Sequence, residues 1–178
     1  IYQVYSLNTI HPLTVAQFDL QNNIAKRKII IADISSKIMK DLEQKNIEEV
    51  YNHGLLRQVA EMFLNVNEVN QSAEIIIRIG TRALSMGDVE YLKNILDRLY
   101  AATDLLPINR TRLKKVAAHI HDFENRYDLV ANTYEKMLQE AIALPALRAA
   151  RIAIFNIGFI FPPDFKEQIN RSPIIREF

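Results

Sequence analysis

Apolar residues recur at intervals of three and four along most of the chain, the spacing that gives a helix one buried stripe. From Thr14 to about Lys45 the stripe runs through Phe18, Ile24, Ile29, Ile30, Ile34, Ile38, Met39 and Leu42. It predicts one long helix or two abutting ones, capped at Thr14 and broken at Asn22-Asn23. The Ile29-Ile30-Ile31 run is β-branched, but the pattern on both sides keeps it helical. A second helix is expected over 47–66, with Gly54 inside it at a cost of about 1 kcal/mol relative to alanine. A third, over 71–86, carries Ile75, Ile76, Ile79 and Leu84, and Gly87-Asp88 reads as its C′ glycine followed by the next N-cap. A fourth runs from Val89 to about Asp104, with Leu92, Ile95, Leu96 and Leu99 on one face. Pro107 interrupts the chain, and Asn109 or Thr111 caps a fifth helix reaching Glu124. A sixth covers 127–143, and Pro145 opens a seventh that ends near Phe159, ahead of Pro162-Pro163. Only residues 1–13 are irregular; there Ile1, Val4 and Tyr5 suit a short strand ended by Pro12.

The pattern therefore predicts an all-α protein, one helical domain of about seven helices with a polar tail over 162–178. Its 178 residues are enough for a sizeable core, and 49% hydrophobic with 24% charged residues is the make-up of an ordinary globular domain. Four glycines and six prolines are too few for a loop-rich β architecture. The absence of cysteine excludes disulfides, thiolate metal sites and a cysteine nucleophile. A net charge of +1 gives no overall reason to expect nucleic acid or an acidic membrane, and no apolar run reaches the length of a membrane span. The chain starts at Ile1 without a secretory signal, so it is expected to be a processed form or a piece of a longer protein. The compartment stays open, with a cytoplasmic setting the default. The sequons at Asn70 and Asn109 matter only in a secreted chain.

Two stretches in the middle share a register. Counting from Ala73, Gly80, Gly87, Leu92, Leu96 and Leu99 fall where Ala118, Asn125, Val130, Tyr134 and Met137 fall, counting from Thr111, with Leu92 matching Val130 and Leu99 matching Met137. The starts lie 38 residues apart, so about four residues, Leu105 to Ile108, are added to a unit of about 34. On these residues the region 73–144 resembles tetratricopeptide repeats. It departs from them where Ile76 and Lys114 replace an aromatic, and where residues larger than alanine stand at the helix crossings. The resemblance implies a short α-solenoid of stacked antiparallel helix pairs, which binds protein or peptide along an extended groove. The stretch from Met86 to Leu144 is also loosely similar to the helical domain of Rgg-type peptide-responsive transcription regulators. That likeness implies an alternative role as a peptide-sensing domain whose DNA-binding part lies elsewhere.

The densest local charge is Arg110, Arg112, Lys114 and Lys115, placed in the first turn of the fifth helix, where cations oppose the helix dipole. Arg112, Lys115 and His119 are spaced i, i+3, i+7 and share a face on any helix. The repeat resemblance puts them, with Asp122 and more weakly Arg78, in the groove, where they would suit an acidic peptide or a chain-terminal carboxylate. The plainer reading is a solvated charged face. His119 and His121 stand two apart, point in different directions and do not make a metal pair. Ser35-Ser36 lacks a nucleophile-elbow context, no glycine-rich phosphate loop is present, and Glu43, Glu48 and Glu49 serve solubility. The expectation is a non-enzymatic interaction module without cofactor or metal. It binds protein or peptide through Arg78, Arg112, Lys115 and His119, with homo-oligomerisation open and nucleic acid not expected. The apolar run Ile154, Phe155, Ile157, Phe159, Ile160 and Phe161 either packs on the last helix pair or docks another chain.

Overall fold

A computed structural model describes residues 5–6, 9–10, 12–44, 53–85 and 87–160. Eight helices occupy most of them, with one two-residue β-ladder at the start, so the architecture is all-α. The chain divides into two compact units, Ile1–Arg82 and Ala83–Phe178. No described helix is long and apolar enough to cross a membrane.

In the first unit, β1 (Tyr5–Ser6) and β2 (Thr9–Ile10) pair antiparallel, Tyr5 opposite Ile10 and Ser6 opposite Thr9. Tyr5 is thus in a strand as expected, while Ile1 and Val4 lie outside the described residues. Pro12 does not merely end the strand. It opens α1 (Pro12–Leu20), because its fixed φ suits a first helical residue, and Thr14 is therefore inside the helix rather than its cap. The long apolar stripe breaks at Gln21–Asn23, and α2 (Ile24–Gln44) follows. Asn23 is the cap: its side-chain oxygen accepts the Lys26 N–H at 3.2 Å. Ile31, Ile34 and Ile38 form the buried stripe of α2, and the β-branched run stays helical with Ile29 turned to solvent. In α3 (His53–Leu64) the core residues are Leu55, Leu56, Val59, Ala60, Met62 and Phe63; the expected helical residues 47–52 lie outside the described ones. The Gln58 side-chain oxygen accepts the Ile10 N–H and ties the hairpin to α3. α4 (Val69–Ser85) brings Ala73, Ile76 and Ile79 into the core, and Lys28 on α2 pairs with Glu68 just before it at 2.6 Å.

The second unit holds the last turn of α4, then α5 (Val89–Ala101), α6 (Pro107–Phe123), α7 (Tyr127–Ala143) and α8 (Leu147–Ile160). Gly87 ends α4 at φ +84°, its N–H bonding to Leu84 O and the Asp88 N–H to Ala83 O. This is the C′ geometry expected of a glycine. Asp88 stands at the N-cap of α5, but its side chain makes no capping hydrogen bond. Asn125 ends α6 in the same way at φ +58°, bonding to Asp122 O while Arg126 bonds to His121 O, and Asn67 ends α3 likewise. Asparagine tolerates this left-handed conformation because its short amide hydrogen-bonds locally.

The start of α6 departs from expectation. Pro107 is its first residue, so Asn109 and Thr111 are not caps; both are buried inside the helix. Thr111 donates its hydroxyl to Glu140 Oε2 at 2.9 Å, near the end of α7. Lys93 near the start of α5 pairs with Glu124 just past the end of α6. α8 begins at Leu147, two residues later than expected, with Pro145 in the preceding turn. Ala118 of α6, Val130, Tyr134, Met137 and Ala141 of α7, and Ala149, Ala150, Ala153 and Ile157 of α8 form one buried cluster. The alanines let three helices approach closely, while Tyr134 and Met137 supply the bulk.

Candidate functional site

The four cations of α6 extend over its first three turns, not its first turn alone, because the helix starts at Pro107. All four are half-buried. The fold sorts them by angle. Arg110 and Lys114, one turn apart, lie over the ring of Tyr100 on α5 at 5.7 and 5.8 Å from its centre. Arg110 also donates to Ala102 O at 3.4 Å, and Lys114 pairs with Glu140 at 3.2 Å. Glu140 thus receives both Thr111 and Lys114, and Tyr100 is half-buried, with its hydroxyl out of reach of solvent. Burial, reinforced by the negative charge of Glu140, pushes the phenol above its ordinary range and keeps it neutral. These two cations serve the packing of α5, α6 and α7.

Arg112, Lys115 and His119 lie on another face of the same helix. Arg112 donates to Asn109 Oδ1 one turn earlier at 3.4 Å. Lys115 makes no ion pair among the described residues. His119 is largely buried, and its Nε2 has no hydrogen-bond partner. Burial lowers its pKa, the neighbouring Lys115 lowers it further, and Asp122 opposes both. The imidazole is therefore neutral near pH 7, and the positive charge of this face rests on Arg112 and Lys115. Tyr134 of α7 is pushed up to about 12 by burial and by Asp122. His121 has other neighbours. Its Nδ1 is buried without a partner, and its pKa is lowered by burial first and by Arg126 next, against Glu124 and Asp128. The two histidines occupy different surroundings and do not converge.

Arg78 lies on α4 in the first unit, at the edge of a hollow of about 240 Å³ lined also by Ser35, Phe63, Gln71, Glu74 and Ile75. A larger hollow of about 430 Å³ shares Ser35, Phe63 and Gln71 with it and extends to the Lys28–Glu68 pair. Arg112, Lys115 and His119 thus share one face of α6 in the second unit, and Arg78 belongs to the first unit. Sequence reasoning missed Tyr100 and Glu140, the partners that claim Arg110 and Lys114. The i, i+4 spacing of those two cations was a visible signal that they share a face, but only the fold supplies what they face.

No family model, curated protein or solved structure matches the chain. The tetratricopeptide likeness therefore rests on the residues and their register alone.

Proposed function

We propose that this chain is a non-catalytic, tetratricopeptide-like helical-repeat module that binds protein or peptide, and that α6 presents Arg112, Lys115 and His119 to an acidic or carboxylate-bearing partner. The observation that carries this reading is the division of the α6 cations. Arg110 and Lys114 lie over Tyr100 on one side of α6, and Arg112 and Lys115, three residues apart, share another side with His119 and Asp122. A planar guanidinium and an ammonium one turn apart suit two carboxylate oxygens or two neighbouring acidic side chains. The repeat reading draws support from residues in matching register. Gly87 and Asn125 both take the left-handed conformation, and Leu92 and Val130, Leu96 and Tyr134, Leu99 and Met137 are all buried.

The test is affinity capture from native lysate on wild type and on Arg112→Glu/Lys115→Glu, followed by titration of the captured partner. Losing two charged contacts should weaken binding at least about tenfold. An unchanged affinity in the double variant, with its helical content intact, overturns the assignment of the face.

A further inference from the structure

The hollows of the first unit have a chemistry of their own. Lys28, Ala32, Ser35 and Ser36 follow one another along one face of α2, and Gln71 and Ile75 stand one turn apart on α4. Between these two stripes lie the adjoining hollows of about 430 and 240 Å³, which meet at Ser35, Phe63 and Gln71. Side-chain size explains the space. Alanine and serine are too short to fill it from α2, and Phe63 of α3, only 7% exposed, makes its floor. Where the hollows meet, the lining is polar but uncharged. The side chains of Ser35, Ser36 and Gln71 make no hydrogen bond among the described residues, and each can both donate and accept. The charges at the two ends balance: Lys28 pairs with Glu68 at 2.6 Å at one, and Glu74 and Arg78, one of each sign, line the other.

We propose that this hollow binds a small uncharged molecule with a flat apolar body and a carboxamide head. A carboxamide donates and accepts from neighbouring atoms. It can therefore pair with the Gln71 amide through two hydrogen bonds and offer a third to a serine hydroxyl. A carboxylate only accepts and an ammonium only donates, so either leaves half of the Gln71 amide unmatched. Either would also have to part Lys28 from Glu68 to find a counter-charge. The apolar body lies against Phe63 and Ile75, which take its surface out of water. This inference goes beyond the α6 reading and does not depend on it, since it concerns the other unit and a neutral ligand.

The experiment titrates the full chain with benzamide and follows backbone amide shifts by NMR. Benzoate and benzylamine, of similar shape but charged, are the comparison ligands. Benzamide should bind saturably with a Kd of about 1–10 mM, the range open to so few atoms, and should move the resonances of Ser35, Ser36, Phe63 and Gln71. Both charged ligands should bind at least about fivefold more weakly. Gln71→Leu keeps the bulk, removes the amide and should weaken benzamide at least about fivefold. Ala32→Phe fills the hollow and should abolish saturable binding. Both positions are exposed, so the remaining resonances should stay in place and show each variant folded. Arg112→Glu/Lys115→Glu should leave the Kd within about twofold, which separates this site from the α6 face. No saturable binding, shifts scattered away from the hollow, equal affinity for benzoate or benzylamine, or binding unmoved by Gln71→Leu and Ala32→Phe would each overturn the proposal.

Discussion

Glu140→Ala tests the contacts that tie Thr111 and Lys114 of α6 to α7. The carboxylate accepts the Thr111 hydroxyl at 2.9 Å and pairs with Lys114 at 3.2 Å. Thr111 is 1% exposed, so its hydroxyl has no water to turn to when the acceptor is removed. Losing a charge-assisted hydrogen bond and stranding a buried donor costs about 1.5–3 kcal/mol. The ion pair is partly exposed and screened, and adds less than about 1 kcal/mol. The total expected is about 2–3 kcal/mol, a large part of the ~5–15 kcal/mol that holds a domain together. Urea unfolding followed by far-ultraviolet circular dichroism should show a lower midpoint at an unchanged slope. The decisive comparison is the cycle with Thr111→Val. Once the donor is replaced by an apolar group of the same shape, removing Glu140 should cost at least about 1 kcal/mol less than in wild type. Additivity within about 0.5 kcal/mol would mean that the two side chains do not interact, and the account of why Thr111 faces inward would fail.

Three further outcomes are expected. Acidification should destabilise the second unit through His119 and His121, whose folded pKa values are lowered mainly by burial. The unfolded chain then takes up protons first, so stability present above the ordinary histidine pKa of about 6.5 is lost as pH falls through and below it. Urea midpoints from pH 7.5 to 5 check this: His119→Gln/His121→Gln should flatten the slope, and a slope unchanged in that variant refutes it. Gly87→Val should cost about 1–2 kcal/mol through backbone strain alone, since φ is +84° and nothing lies within 4 Å of an added Cβ, whereas Gly87→Asn should cost under about 0.5 kcal/mol; equal thermal midpoints for the two variants would count against this. Asn23→Ala removes the cap of α2 and should cost about 1 kcal/mol in urea unfolding, while Asn22→Ala, outside the cap bond, should cost little.

The local order of this protein was legible in its sequence wherever the physical cause is local. The helical spacing located the helices. The Asn22-Asn23 break fell where Asn23 caps α2, and Gly87 closes α4 because it alone adopts φ +84° without strain. Cap residues were read less well at Thr14, Asn109 and Thr111. At Pro12 and Pro107 a proline starts the helix earlier, and side chains that suit a cap become interior ones. Arg112, Lys115 and His119 share a face by periodicity alone, and that much needed no structure. What periodicity lacks is the identity of the neighbour. Glu140 is far along the chain from Lys114 and Thr111, and Tyr100 reaches Arg110 because α5 lies against α6. That Tyr100 and Glu140 receive Arg110 and Lys114, that Arg78 belongs to the first unit, and that α8 exposes Arg148 and Arg151 were decided by tertiary packing. A side chain's partner is set by which helices lie against its own, and the angle at which a residue leaves its helix says nothing of what stands opposite.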